Sequence, residues 1–354
     1  MEESYILVTG GVGFIGSHTS IVLLEKGYNV LIIDNFSNTS DINVKGLQIL
    51  HSRICKDSSN SSPPKLIILN VDLRNKEDLE VVFKNHKIDS IIHFAALKAV
   101  GESIEKPLLY YDNNIVGVLN LLEQVALHRI SKFIFSSSAT VYGYQTPPFH
   151  EDKTLTGLGI TNPYGRTKHM TEEILEDLHR SRSSNLNVIM LRYFNPIGAH
   201  QSGLLGEVPN GTPNNLFPYI LDVAEGKRPE VSVYGGNWNT PDGTCLRDYI
   251  HVMDLAEGHY KALQFMEENN SKIFDVINLG TGTPTSVLEL IHTFEEVTKV
   301  KIPYSVISRR SGDVESSYAI VEKAKTLLGW IAKRSLEDMC HDGWNFRHPS
   351  NIEL

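Results

Sequence analysis

The sequence predicts an α/β fold in which a doubly wound parallel sheet is joined to a smaller mixed α/β domain. Three observations predict it. Short apolar runs alternate with segments of helical spacing through the first half of the chain. Those runs are apolar almost without interruption, as strands covered on both faces are. A glycine-rich turn stands between the first run and the first helical segment.

The apolar runs are residues 5–9, 30–34, 66–71, 90–94, 132–136 and 188–192. Residues 14–26, 75–86, 107–128 and 162–184 have helical spacing, and the third of these opens with a proline suited to a first turn. The stretch 51–65, HSRICKDSSNSSPPK, is polar and low in complexity, and reads as a surface loop or insertion between the second and third strands. After Asn195 the pattern changes. Prolines and glycines crowd 196–218, and the later elements shorten: 216–226, 231–234, 252–268, 274–279, 286–299 and 302–307. The expected division is a first domain over 1–195 and a second over 196–354, with a strand or helix returned to the first sheet. There is no internal repeat and no heptad pattern.

The 354 residues, 41% hydrophobic and 21% charged, suit one large or two medium globular domains with a full core. A net charge of −9 argues against nucleic acid or an anionic membrane as partner, while a few placed arginines would hold a phosphorylated small molecule. No apolar run reaches the length a membrane helix needs. The opening MEESYILVTGG lacks a basic segment followed by an apolar one, so no secretory signal is expected. Cys55, Cys245 and Cys340 are odd in number and scattered, which fits free thiols in a reducing compartment. A cytoplasmic protein without a metal site is expected.

Gly10, Gly13 and Gly16 fall in the turn Thr9–Gly16, where glycine permits a tight turn, close approach of a pyrophosphate, and close packing of helix on strand. The pyrophosphate would meet the free N–H groups of the helix that follows. Asp34 ends the second strand about 20 residues on, where a carboxylate binds the ribose hydroxyls of a dinucleotide. It would repel a 2′-phosphate, so NAD is favoured over NADP. The alternative for Asp34 is a turn cap, and the same alternative competes for Asp72, which is otherwise placed to accept from an adenine amino group.

Tyr164 and Lys168 stand four residues apart in Tyr-Gly-Arg-Thr-Lys, on one face of a helical segment. A phenol at its ordinary pKa is too weakly acidic to serve as a base at neutral pH, and a neighbouring ammonium would lower that value. Ser138, last of three serines leaving the fifth strand, is placed to bond both Tyr164 and a substrate hydroxyl. Singly, the pair reads as a surface pair and the serines as a loop. In the order glycine-rich turn, Ser, Tyr-x-x-x-Lys, they resemble the catalytic set of the short-chain dehydrogenases, which implies a Rossmann sheet.

Within that superfamily the phrases FAALKAVGES, YYDNN, SSSATVYG, NPYGRTK, LRYFNPIGAH, PNNLFPYI, LRDYIHVMDLA and INLGTGT resemble the UDP-galactose 4-epimerase family from about Ile6 to Phe346. Arg166 departs from the usual lysine, away from the chemistry. The resemblance implies an NAD site lined by Gly10, Gly13, Phe14, Ile15, Gly16, Asp34, Asn35, Asp72, Leu73, Phe94, Lys98, Asn113 and Lys168, with Phe194 at the nicotinamide end. It implies that Asn195, Asn215, Leu216, Tyr234, Arg247, Arg310 and Asp313 hold the UDP part of a UDP-sugar. The arginines suit this role, since guanidinium groups match and offset a pyrophosphate. It further implies inversion at C4 through a 4-keto sugar, with Tyr164 as base and NAD kept bound, and a homodimer through the 107–128 and 162–184 helices. By the ungapped match from Arg-x-Gly-Asp, the resemblance also implies that Ser317 walls the pocket beside the C2 substituent, where a small residue leaves room for an N-acetyl group. A one-residue slip would put the bulky Tyr318 there instead.

Nucleotide-sugar dehydratases and decarboxylases share this scaffold, but they place acids just after the serine or threonine of this strand. Here Ala139 and Thr140 follow instead. A non-catalytic NAD-sensing regulator would be expected to lose Tyr164 or Lys168. A reductase with net turnover would not need the UDP anchors.

Overall fold

The computed structural model describes residues 3–57, 62–182, 184–269, 271–310 and 313–349. Its centre is a sheet of seven parallel strands. In chain order the first half runs β1 (Tyr5–Thr9), α1 (Phe14–Glu25), β2 (Val30–Asp34), α2 (Asp41–Asp57), β3 (Leu66–Asn70), α3 (Lys76–Asn85) and β4 (Ile88–His93). Then come α4 (Val100–Glu105), α5 (Pro107–Tyr111), a π-helical turn (Asp112–Val116), α6 (Gly117–Leu127), β5 (Lys132–Ser138), α7 (Pro163–Arg180) and β6 (Asn187–Tyr193).

The second half supplies β7 (Asn195–Ile197), α8 (Leu216–Ala224), β8 (Val231–Tyr234), β9 (Leu246–His251), α9 (Val252–Glu268) and β10 (Phe274–Leu279). It ends with β11 (Pro284–Ser286), α10 (Val287–Thr298), β12 (Tyr304–Ile307), β13 (Ser316–Ser317), α11 (Glu322–Leu328) and α12 (Leu336–Arg347).

The large sheet has the order β10-β6-β5-β4-β1-β2-β3. Side chains alternate along each strand, so it carries two cores. Leu7, Leu31, Ile33, Ile91, Phe133 and Phe135 face one way, toward the α3 and α6 side, and Ile6, Val8, Val30, Ile32, Ile92 and Ile134 face the other. β10 is the returning strand expected from the sequence, paired in parallel with β6 from Phe274↔Val188 to Leu279↔Tyr193. A smaller sheet places β9 between β11 and β13, with β7 also paired to β9, and β12 pairs β8 beside it. The strand order reverses between β1 and β4, and a crevice opens there at the carboxyl ends, as the doubly wound topology requires.

The stretch 51–65 is not wholly a loop. α2 continues through Asp57, and His51 Nε2 bonds Pro64 O at 2.8 Å, which closes the return to β3. Val44, Leu47, Leu50 and Ile54 form an apolar stripe against the core, and that spacing outweighs the polar composition around it. Residues 58–61 of the stretch lie outside the described residues. The single helix expected over 107–128 is interrupted by the π turn, and the one expected over 162–184 ends at Arg180.

Candidate active site

The glycines of the first turn act for three separate reasons. Gly10 has φ +66°, and a Cβ on it would lie 2.6 Å from Ala95 N, in the loop that follows β4. A Cβ on Gly16 would lie 2.4 Å from Gly10 O, so helix and strand can meet only through a glycine. On Gly13 a Cβ would approach only Gly10 O, at 3.2 Å, so this residue leaves its outer side open. Gly13 is the N-cap of α1 and carries no side-chain cap, which leaves the first N–H groups facing the crevice. Asp34 is buried, and its two oxygens accept from Val12 N at 3.1 Å and Phe36 N at 3.0 Å. Burial raises its pKa and these backbone N–H groups pull it back.

A cleft of about 450 Å³ brings together Gly10, Gly13, Phe14, Ile15, Gly16, Asp34, Asn35, Asp72, Leu73, Phe94, Lys98, Asn113, Tyr164, Lys168 and Asn215. An open glycine at the end of an uncapped helix, with a carboxylate one strand away, fits a dinucleotide. Asp72 lines the cleft and also caps its turn, held by Arg74 Nη2 at 2.7 Å, Asn35 Nδ2 at 2.9 Å and the Arg74 N–H at 2.9 Å. The Arg74 guanidinium keeps its carboxyl far below the ordinary range.

At the inner end, Ser138 Oγ accepts from Thr140 N at 3.2 Å and Thr140 Oγ1 at 3.0 Å, so its own hydrogen is left to donate. Asn162 caps α7 by accepting from Gly165 N at 2.8 Å, which fixes Tyr164 in the first turn. Desolvation raises the Tyr164 phenol above its ordinary value, while a hydrogen bond with Ser138 and the charge of Lys98 pull it down. The lysine four residues on is differently employed. Lys168 Nζ donates to Ser136 O at 2.6 Å and lies 4.9 Å from the Phe135 ring centre. Burial lowers it to about 7, with Glu172 opposing. The cation that pulls Tyr164 down in this structure is Lys98, while Lys168 is turned to Ser136 O.

Of the residues expected at the UDP end, Asn215 alone lines this cleft. Arg310 lies 5.2 Å from the Tyr234 ring centre and bonds Asp313 at 2.8 Å. Arg247 Nη1 donates to Leu246 O at 2.8 Å and Val314 O at 3.0 Å, and Ser317 pairs with Arg247 in the β13–β9 register. Asn195 Nδ2 donates to Asp248 O at 3.2 Å, and Leu216 opens α8. Phe194 is buried in a small cluster with Tyr142, Phe149 and Ala319. Ser311 and Gly312 of Arg-x-Gly-Asp lie outside the described residues.

The profile of the GDP-mannose 4,6 dehydratase family matches residues 7–343. UDP-glucose 4-epimerase 2 of Arabidopsis thaliana is 49% identical over 342 residues, 96% of this chain and 94% of that one. The chain belongs to the UDP-glucose 4-epimerase family. Among solved epimerases, the Stenotrophomonas maltophila enzyme, with bound NAD and formylated UDP-arabinopyranose, superposes with a TM-score of 0.89 at 42% identity, covering 98% of each chain. The Bifidobacterium longum enzyme, in complex with NAD+ and UDP, gives 0.88 at 45% identity, again over 98% of each.

For a UDP-glucose 4-epimerase family chain, three features of this site escape a reading of motifs. Asn114, on the π turn, accepts from Leu97 N at 2.9 Å and donates to Leu97 O at 3.0 Å and Thr167 Oγ1 at 3.1 Å, tying the loop after β4 to α7. Glu207 bonds Lys98 across the cleft at 2.7 Å. A buried Glu172–Arg192 pair at 2.7 Å, joined by Ser137, stands behind Lys168. The glutamate four residues after Lys168 signals the last. The others join positions too far apart in sequence for any local pattern.

Proposed function

We propose that this protein is an NAD-dependent UDP-galactose 4-epimerase, an isomerase interconverting UDP-galactose and UDP-glucose. The observation that carries the reading is Tyr164 lining the cleft with Ser138 bonded to it, and with Ala139 and Thr140 where dehydratases and decarboxylases carry acids. Tyr164 as phenolate takes the proton of the sugar 4-hydroxyl, and Ser138 steadies the phenolate by the hydrogen bond it makes to it. Lys98 favours the phenolate. Gly13 and the start of α1 hold the pyrophosphate of NAD, Asp34 its adenosine ribose, and Lys168 its nicotinamide ribose. NAD bound there supplies the hydride acceptor and then the hydride donor at the same carbon.

Arg247, Arg310, Asp313, Asn195, Asn215, Leu216 and Tyr234 grip UDP, so the sugar itself is left free to present its other face. Residues 1–195 serve as the NAD-holding domain and 196–354 as the UDP-sugar domain, with β10 returned to the first sheet. Ser317 leaves room for an N-acetyl group, which extends the substrates to UDP-N-acetylgalactosamine and UDP-N-acetylglucosamine. Exposed apolar side chains on α4 to α7 support a homodimer. Among the described residues no helix is long and apolar enough to cross a membrane. All three cysteines are free thiols, which supports a cytoplasmic location.

The test is incubation of the purified protein with UDP-galactose and no added NAD, followed by separation of products. UDP-glucose should appear with no net NADH. Absorbance at 340 nm rising in proportion to product would identify a dehydrogenase instead.

A further inference from the structure

Three walls enclose the dinucleotide cleft, and the third is tied to the other two. The first is the glycine-rich turn, the second the loop after β4, and the third the segment after β7. Asn43, buried in α2, donates from Nδ2 to Val12 O and to Gly206 O, each at 3.2 Å, and accepts the Gly206 N–H at 3.4 Å. One side chain thus ties the glycine-rich turn to the third wall. The fit is close, since a Cβ on Gly46 would lie 2.1 Å from Leu204 O.

The next residue, Glu207, reaches the second wall. Its Oε1 accepts from Lys98 Nζ at 2.7 Å and from Asn215 Nδ2 at 3.0 Å. Asn215 is the N-cap of α8, yet its side chain caps nothing there and turns to Glu207 instead. The Glu207 side chain is only 14% exposed. A carboxylate so nearly buried is stabilised by the cation pinned to it. It joins a lysine on the cofactor side to an asparagine on the substrate side.

We infer that the segment running on from Glu207 is a strap closed over the dinucleotide groove, anchored at its root where Asn43 holds Gly206 and latched by Glu207 on Lys98, so that NAD leaves only when the strap lifts. This rests on the reading of the cleft as the NAD site. Glu207 and Asn43 are positioning residues, for they hold the walls rather than reacting atoms. A cofactor that is regenerated within each turnover has no need to exchange, and the strap gives that retention a structural cause.

The experiment measures exchange of bound NAD against isotopically labelled NAD in wild type, Glu207→Gln and Asn43→Asp. Glu207→Gln keeps the shape and an oxygen for Asn215 but removes the charge facing Lys98. Asn43→Asp removes both donated bonds. Each variant should exchange at least about tenfold faster than wild type, the worth of one hydrogen bond to a charged group. If Asn43→Asp fails to fold, Glu207→Gln decides alone, with its melting temperature taken to separate latch from general destabilisation. Wild-type exchange rates in a folded Glu207→Gln protein would overturn the strap. A wild-type protein that neither carries NAD nor takes it up would instead overturn the assignment of the cleft.

Discussion

Desolvation raises the Tyr164 phenol, so the groups that pull it back decide whether it can serve as a base near neutral pH. Those groups are Ser138 and Lys98. Tyr164→Phe should keep the fold and bound NAD while losing at least about 10²-fold in turnover, the usual worth of a general base. Lys98→Met should move the acid limb of the pH–rate profile upward, because loss of a cation raises the phenol pKa and less phenolate is present at any given pH. An unshifted limb would return that role to Lys168. The role proposed for Ser317 sets an expectation for substrate range: the wild type should epimerise both UDP-galactose and UDP-N-acetylgalactosamine. Ser317→Tyr should cost the N-acetylated substrate roughly tenfold to a hundredfold, since overfilling a packed site costs about 1–3 kcal/mol. A wild type confined to UDP-galactose would reassign the gate. At this scale the glycine turn, Asp34 and Tyr164 were legible because each answers to a local requirement of backbone or chemistry. The pull of Lys98 on Tyr164 was not, because that lysine reaches the site from the loop after β4, far from Tyr164 in sequence.

Among the elements, the π turn at Asp112–Val116 changes the register of a long helical segment just where Asn113 meets the cleft and Asn114 clamps Leu97. Its sequence looks like continuous helix, so spacing alone could not expose it. α2 failed to be read for the opposite reason, its apolar stripe being diluted by polar neighbours on the solvent face. The strands were easier, because burial on both faces demands unbroken apolar runs. Helices α4 to α6 leave Ile104 61%, Leu108 81% and Leu127 69% exposed, with Val100, Val116 and Leu119 also outside the core. Covering such side chains is worth roughly 1.5–3 kcal/mol each. Counted on two partners, that exceeds the roughly 4–15 kcal/mol cost of association. Sedimentation should therefore show a dimer at micromolar concentration, and Leu119→Arg should shift it toward monomer. A wild-type monomer at that concentration would reject the proposed pairing.

The whole molecule carries a liability to acid. Burial lowers His18 and His93 to about 3 and His200 and His259 to about 4. Near pH 5.5 an unfolded histidine is mostly protonated, while these four remain neutral in the fold. Unfolding then takes up protons, and stability falls as pH drops from about 6.5 toward 4. Urea midpoints should decline steadily over that interval, with a proton uptake approaching four. A midpoint that stays flat from pH 6.5 to 5 would contradict the buried neutral imidazoles. None of this was legible from composition, because a histidine's burial depends on which layers pack over it.

The strand order has a further consequence for biosynthesis. β6 is made long before β10, and everything between Asn195 and Ile273 intervenes. A growing chain can build six strands, with the glycine turn, Tyr164 and Lys168 already in place, while β6 still presents an unpaired edge. Such edges recruit other strands. Completion waits until Leu279 has left the ribosome, so the nascent chain is most exposed to misassembly while its later half is being translated.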